Sequence, residues 1–127
     1  MVDRAPIRIG VDARELVHPQ TAIGRYTTEL CKALDQLLPC APFFLYSNRP
    51  ICVPAESPRW VARLDSRIGA SYLHPLVWLM ARGGRLCQPD QLDVYWGAAT
   101  ILPRLPESVR AVVTVYSLFH LNESWFR

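Results

Sequence analysis

An acid and a base two residues apart, Asp12 and Arg14, close a short apolar run that begins at Ile7. Seven residues beyond Arg14 stands Thr21-Ala22-Ile23-Gly24-Arg25-Tyr26. The chemistry on offer there is anion binding. The backbone N–H groups of Ala22, Ile23 and Gly24 fall in the first turn of a helix, where they have no partner inside it. The helix dipole adds positive potential at the same place, and Arg25 adds charge. The plainer reading is that Thr21 caps the helix and Gly24 permits close packing on the sheet. Most helix starts bind nothing, so spacing alone favours the plainer reading. Asp12 and Arg14 can hold a polar ligand, pair with each other, or pair with the loop. The residues themselves leave these three open.

Several other chemistries are excluded. The loop after the first strand has only Gly24, so the three-glycine dinucleotide fingerprint is absent. No Gly-Lys-Ser/Thr loop occurs. This weighs against a nicotinamide enzyme and a nucleoside triphosphatase. Cys31, Cys40, Cys52 and Cys87 are widely spaced and His is scarce, so no metal site is expected. His18, His74 and His120 are scattered and form no nucleophile arrangement.

The elements that would position these residues follow from periodicity. Ile7, Ile9, Val11 and Ala13 share one face of a strand, with small Gly10 on the other, so both sides can be covered. Ile23, Tyr26, Leu30, Leu34, Leu37 and Leu38 recur in steps of three and four, which predicts a core-facing helix capped by Thr21 and stopped near Pro39. Strands are predicted at Phe43–Ser47, Trp60–Leu64, Asp93–Trp96 and Ala111–Tyr116. Proline-rich loops occupy 48–58 and 99–108. His74-Pro75 opens a second helix that Gly83-Gly84 should end, and Asn122–Arg127 reads as the start of a third. Alternating apolar strands and helices argue for an α/β fold with a parallel sheet covered on both faces.

The 127 residues are one domain by size, with a core of ordinary apolar content. The net charge of +3 is modest, and no nucleic-acid partner is expected. Lys32 is the lone lysine among fourteen basic residues, the rest being Arg, which suits bidentate contact with phosphate or carboxylate. The N-terminal residues lack a signal peptide's apolar region, and no run is long enough to span a bilayer. The expected compartment is the cytoplasm, with reduced thiols. Residues 72–87 mix aromatics and aliphatics with Arg82 and Arg85. Such a helix can lie on an anionic membrane surface, though a core helix with a solvated basic end is the usual explanation.

Ile9-Gly10-Val11-Asp12-Ala13-Arg14 with Thr21–Tyr26 resembles the opening of family 4 glycosyltransferases of the two-domain GT-B fold. In that family a Thr-Gly-Ile-Gly-Arg-Tyr loop follows an Ile-Asp-Ala-Arg strand. Asp93-Val94-Tyr95-Trp96-Gly97 looks like the family's Asp-Val-hydrophobic-His-Gly strand, and Leu102-Pro103 follows in place. Val112–Val115 looks like the strand that leads into a His-Asp-Leu. The resemblance implies a Rossmann-like open parallel sheet flanked by helices, the N-terminal acceptor-side domain of a retaining sugar transferase. Such enzymes move a sugar from a nucleotide-sugar to a glycan or lipid-linked acceptor and need no further cofactor. Thr21, Ala22, Ile23, Gly24 and Arg25 would approach the donor diphosphate, with Asp12 and Arg14 beside them. Tyr116 and Ser117, in place of the His-Asp pair, would lie near the transferred sugar.

Three departures bear on activity. Ala22 replaces the first loop glycine, which matters if that residue must adopt φ > 0. Tyr116-Ser117 removes a carboxylate near the sugar, and Ser124 stands where Pro is usual. The family's nucleotide-binding half is expected C-terminal to residue 127. The domain's own last helix and strand are also expected beyond that point. The chain would then be a truncated half, inactive by itself, that works with the missing domain or a partner chain. Its last strand would lie on a poorly covered sheet edge that invites self-association. The competing expectation is a non-catalytic binding or assembly module. A third, weaker one is an unrelated flavodoxin-like domain with a phosphorylated ligand at the first loop. A peripheral position at the inner membrane surface would fit a lipid-linked acceptor.

Overall fold

A computed structural model describes residues 5–117. Five strands form one sheet: β1 (Ile9–Asp12), β2 (Phe43–Ser47), β3 (Trp60–Leu64), β4 (Val94–Gly97) and β5 (Arg110–Val113). All pairings are parallel, in the order β3-β2-β1-β4-β5. The strand order therefore turns back at β1. The chain builds outward to β3, then returns to place β4 on the free side of β1. In open α/β sheets that reversal opens a crevice beyond the carboxyl ends of the two neighbouring strands.

The apolar alternation in β1 divides the core in two. Ile9, Val11 and Ala13 face one side with Phe43, Leu45, Trp60 and Trp96. Helix α1 (Ala22–Leu37) covers that side with Leu30, Cys31 and Leu34. Of the stripe read from the sequence, Leu30, Leu34 and Leu38 pack on the core, but Tyr26 and Leu37 are exposed and the helix buries Gly24, Thr27 and Cys31. On the other side Phe44, Tyr46 and Tyr95 pack against Ala70, Trp78, Leu79 and Cys87. These come from a second helical layer: a turn at Ala70–Tyr72, α2 (Pro75–Trp78), a wide π turn (Leu79–Gly83) and α3 (Gly84–Cys87).

Three expectations are corrected here. Gly83-Gly84 does not end the second helix, which runs through both into α3. A Cβ on Gly84 would collide with the Arg104 carbonyl, so the glycine is there for the crossing of the 99–108 loop. Gly24 does not serve packing on the sheet. Its Cβ would stand 2.5 Å from the His18 carbonyl oxygen and 2.9 Å from that of Glu15, so it lets α1 sit against the Arg14–Val17 turn. The last strand is shorter than the predicted Ala111–Tyr116, and all four of its residues are exposed. It is the outer strand on its side of the sheet, and no described residue pairs with its far edge. The helix start expected at Asn122–Arg127, Ser124 and His120 lie outside the described residues.

Candidate functional site

The carboxyl edge of the sheet carries Asp12 and Arg14, and the turn from Thr21 into α1 and the segment holding Tyr116 meet beside it. Asp12 is the last residue of β1, and its side chain is fully buried. Of the three partners open to it, it takes Arg14. Arg14 Nη2 donates to Asp12 Oδ2 at 2.7 Å, and Nε donates to Oδ1 at 2.9 Å and Oδ2 at 3.1 Å. The Arg14 backbone N–H adds a longer bond to Oδ1 at 3.2 Å. Burial works against the guanidinium charge, and the hydrogen bonds and charge of Asp12 outweigh it, so Arg14 is held above its ordinary pKa. The pair is a closed, charge-assisted fork on the floor of the edge.

Above it the loop turns into α1. Thr21 has extended backbone and caps the helix as its type and place predict. Its Oγ1 accepts from the Gly24 N–H at 3.1 Å and donates to the His18 carbonyl at 3.0 Å. The Thr21 carbonyl accepts from Arg25 N–H at 2.8 Å. That leaves the amides of Ala22 and Ile23 without a partner among the described residues. Both stand at the positive end of a sixteen-residue helix. Ala22 does not have positive φ; among the described residues only Gln91, Thr100 and Gly69 do. The alanine therefore starts the helix without a positive-φ penalty. Arg25 and Tyr26 are exposed on the first turns.

Tyr116 reaches the same edge from the segment after β5. Its hydroxyl donates to the Ala98 carbonyl at 2.6 Å, and its ring meets Tyr26 edge-on, with centroids 5.6 Å apart and planes at 84°. Ser117 follows it and is exposed. The segment is fastened to the loop after β4. Trp96 Nε1 donates to Thr114 Oγ1 at 2.9 Å, and Thr100 Oγ1 donates to the Thr114 carbonyl at 3.1 Å. Thr100 has φ +71°, a costly conformation for a β-branched residue, and its hydroxyl bond helps hold it there.

Two buried groups gave no signal in the sequence. Tyr95 pairs with Gly10 across the strands and is fully buried, yet its hydroxyl has no hydrogen-bond partner. Burial first, then the Asp12 charge, raise its pKa well above the ordinary value. Asp90 accepts from the Tyr46 hydroxyl at 2.6 Å and from Arg63 Nη2 at 2.9 Å. That network joins three distant segments and serves the core. The described histidines act in two local turns. His18 offers its carbonyl to Thr21, and His74 Nδ1 caps α2 by accepting from Leu76 N–H at 3.3 Å.

No group of His, Cys, Asp and Glu among the described residues is placed to hold a metal ion. All four cysteines are free; Cys31 and Cys87 are buried, Cys40 and Cys52 exposed. The edge presents two amides with no partner among the described residues, an arginine engaged by Asp12, and two exposed tyrosine rings. No family model, no curated protein and no solved structure matches this chain.

Proposed function

We propose that this domain is the acceptor-side half of a retaining glycosyltransferase of the GT-B kind, and that transfer needs a second, nucleotide-binding unit. The observation that carries the reading is the joint placement of Asp12–Arg14, the Thr21–Arg25 turn and Tyr116 at one carboxyl edge, beside the reversal of strand order. In the proposed arrangement the Ala22 and Ile23 amides face the donor diphosphate. The tyrosine pair lies against the sugar and the glycan or lipid-linked acceptor. The proposed compartment is the cytoplasm, where nucleotide-sugars are made.

A second reading, a binding or assembly module without catalysis, is favoured by one detail. The Tyr116 hydroxyl is already committed to the Ala98 carbonyl, so the position carries no free acid or base. The test separates the two. The purified chain is incubated with a panel of nucleotide-sugars and glycan acceptors, and transfer is followed by mass spectrometry. Native mass spectrometry of the chain with co-expressed proteins is read in parallel. The first reading expects no transfer by the chain alone and transfer when a nucleotide-binding domain is supplied. A stoichiometric complex that never transfers sugar supports the second. Transfer by the chain alone refutes the need for a second unit.

A further inference from the structure

The opposite end of the sheet holds a cavity. Where β4 and β5 begin, the end of α3, the turn after it and the 106–109 turn border a space of about 320 Å³. That is the small end of the range for ligand pockets, roughly 300–1,000 Å³, and it suits one ring rather than a chain of them. Leu92, Val109 and Pro106 give it an apolar wall. Leu92 is buried and Val109 half-buried, and both are continuous with the core that holds Tyr95 and Trp78, so the wall is fixed. Gln88, Gln91, Asp93 and Ser108 line the rest and are exposed to solvent.

The hydrogen-bonding capacity of these four is unspent. The side chains of Gln88, Gln91 and Ser108 make no hydrogen bond among the described residues. Asp93 Oδ2 accepts from the Arg8 backbone N–H at 2.8 Å, and Oδ1 has no partner among the described residues. Gln91 carries a further mark, a φ of +49°. The positive φ of Thr100 is supported by a bond from its own hydroxyl, whereas the Gln91 side chain offers its backbone no such support, and a glycine would take this conformation more readily. A non-glycine residue kept in that conformation at the rim of a cavity points to a role for its side chain. The polar types then choose the ligand. Two carboxamides and a hydroxyl both donate and accept, and the carboxylate accepts. Hydroxyl groups on neighbouring ring carbons also do both, and the C–H face of such a ring matches Leu92 and Val109. Among the described residues that line the cavity Asp93 alone is charged, which disfavours an anion, and none is aromatic, so there is no cage for a quaternary ammonium.

We propose that this amino-edge cavity binds a neutral, hydroxyl-rich ring, a single sugar unit, through Gln88, Gln91, Asp93 and Ser108. The proposal does not depend on the sugar-transfer reading. The cavity lies at the far end of the sheet from Asp12 and Thr21, so binding there needs neither a nucleotide-sugar nor a second domain, and both ends can be occupied together.

The test is a titration of the isotope-labelled chain, followed by two-dimensional NMR, with glucose, galactose, mannose and N-acetylglucosamine. Choline and inorganic phosphate are titrated separately. The expected result is saturable shifts with at least one sugar, with a Kd on the order of millimolar for so small a neutral ligand. The largest shifts should fall on the side-chain amides of Gln88 and Gln91 and on the backbone N–H groups of Ser108 and Val109. Gln91→Gly keeps the turn, since glycine accepts positive φ, and should weaken binding about fivefold, the worth of one hydrogen bond. Ser108→Trp places a large ring in the cavity and should abolish binding. Unchanged circular dichroism shows that both variants fold. If none of the sugars shifts these resonances, the proposal is overturned. Shifts confined to the carboxyl edge, or seen with choline or phosphate alone, overturn it too, as do folded variants that bind like the parent.

Discussion

Asp12 and Arg14 close on each other across a single turn of chain, 2.7 Å apart, with the carboxylate fully buried. Arg14→Gln should therefore destabilise the domain by about 3–5 kcal/mol, because it leaves a buried charge unpaired. The double variant D12N/R14Q should recover much of that loss. Urea denaturation checks both, and a single-variant loss under about 1 kcal/mol would contradict the burial of the pair.

Gly24 and Ala22 should respond unequally to exchange of their residue types. Gly24→Ala drives a methyl into the His18 and Glu15 carbonyls and should cost about 1–3 kcal/mol. Ala22→Gly relieves no strain, since Ala22 does not have positive φ, and should cost about 1 kcal/mol or less. Thermal unfolding distinguishes them. Equal losses would mean that the Gly24 contact is absent in solution.

The two core tyrosines should also differ. Tyr95→Phe removes a hydroxyl with no partner and should be neutral or stabilising by about 1 kcal/mol. Tyr46→Phe takes a donor from buried Asp90 and should cost about 1–3 kcal/mol. Chemical denaturation of the pair reads this directly, and a marked loss in Y95F would reveal a partner for its hydroxyl.

Asp65 should set part of the acid limb of stability. Hydrogen bonding from Arg82 outweighs burial and holds its carboxyl down at about 2, against an ordinary value of 3.8. A depressed folded pKa means the carboxylate stabilises the fold above the ordinary value and loses that contribution as pH falls from 3.8 towards 2. Asp65→Asn should flatten the stability curve over that window. A curve that keeps its slope there assigns the acid limb to other groups.

Thiol reactivity should split two and two. Burial pushes the Cys31 and Cys87 thiols up to about 12. Cys40 and Cys52 are exposed. An aromatic disulfide reagent at mild pH should titrate two thiols in the folded chain and four in denaturant. Fast reaction of all four would show that the core opens readily.

Much of this architecture was legible because local chemistry and tertiary packing agree. Thr21 caps α1 for the reason its side chain predicts, and Phe43–Ser47 and Trp60–Leu64 form strands over the ranges that their apolar runs mark. Gly83-Gly84 misled because a glycine pair ends a helix only when it adopts a turn conformation. Here both stay helical, and the contact that needs Gly84 comes from Arg104, twenty residues on. Asp12 and Arg14 were visible as a pair, but a sequence cannot choose between a ligand and each other. The Tyr95 hydroxyl and the Tyr46–Asp90–Arg63 network had no signature at all, since they arise from strand register and from segments far apart in the chain.

The central position of β1 has a consequence for how the molecule is made. Its partner on one side, β4, arrives late: the Arg8 backbone N–H donates to the Asp93 carboxylate across 85 residues of chain. At ordinary rates of synthesis that interval lasts roughly 4–17 s. Throughout it, one edge of the central strand emerges unpaired, and no hairpin exists to close it locally, because every pairing in the sheet is parallel. Folding of the chain must likewise close this long loop before the sheet's centre is complete, and such non-local pairing slows folding. Its vulnerable moment is during its own birth, when a strand buried along its whole length waits for its second neighbour.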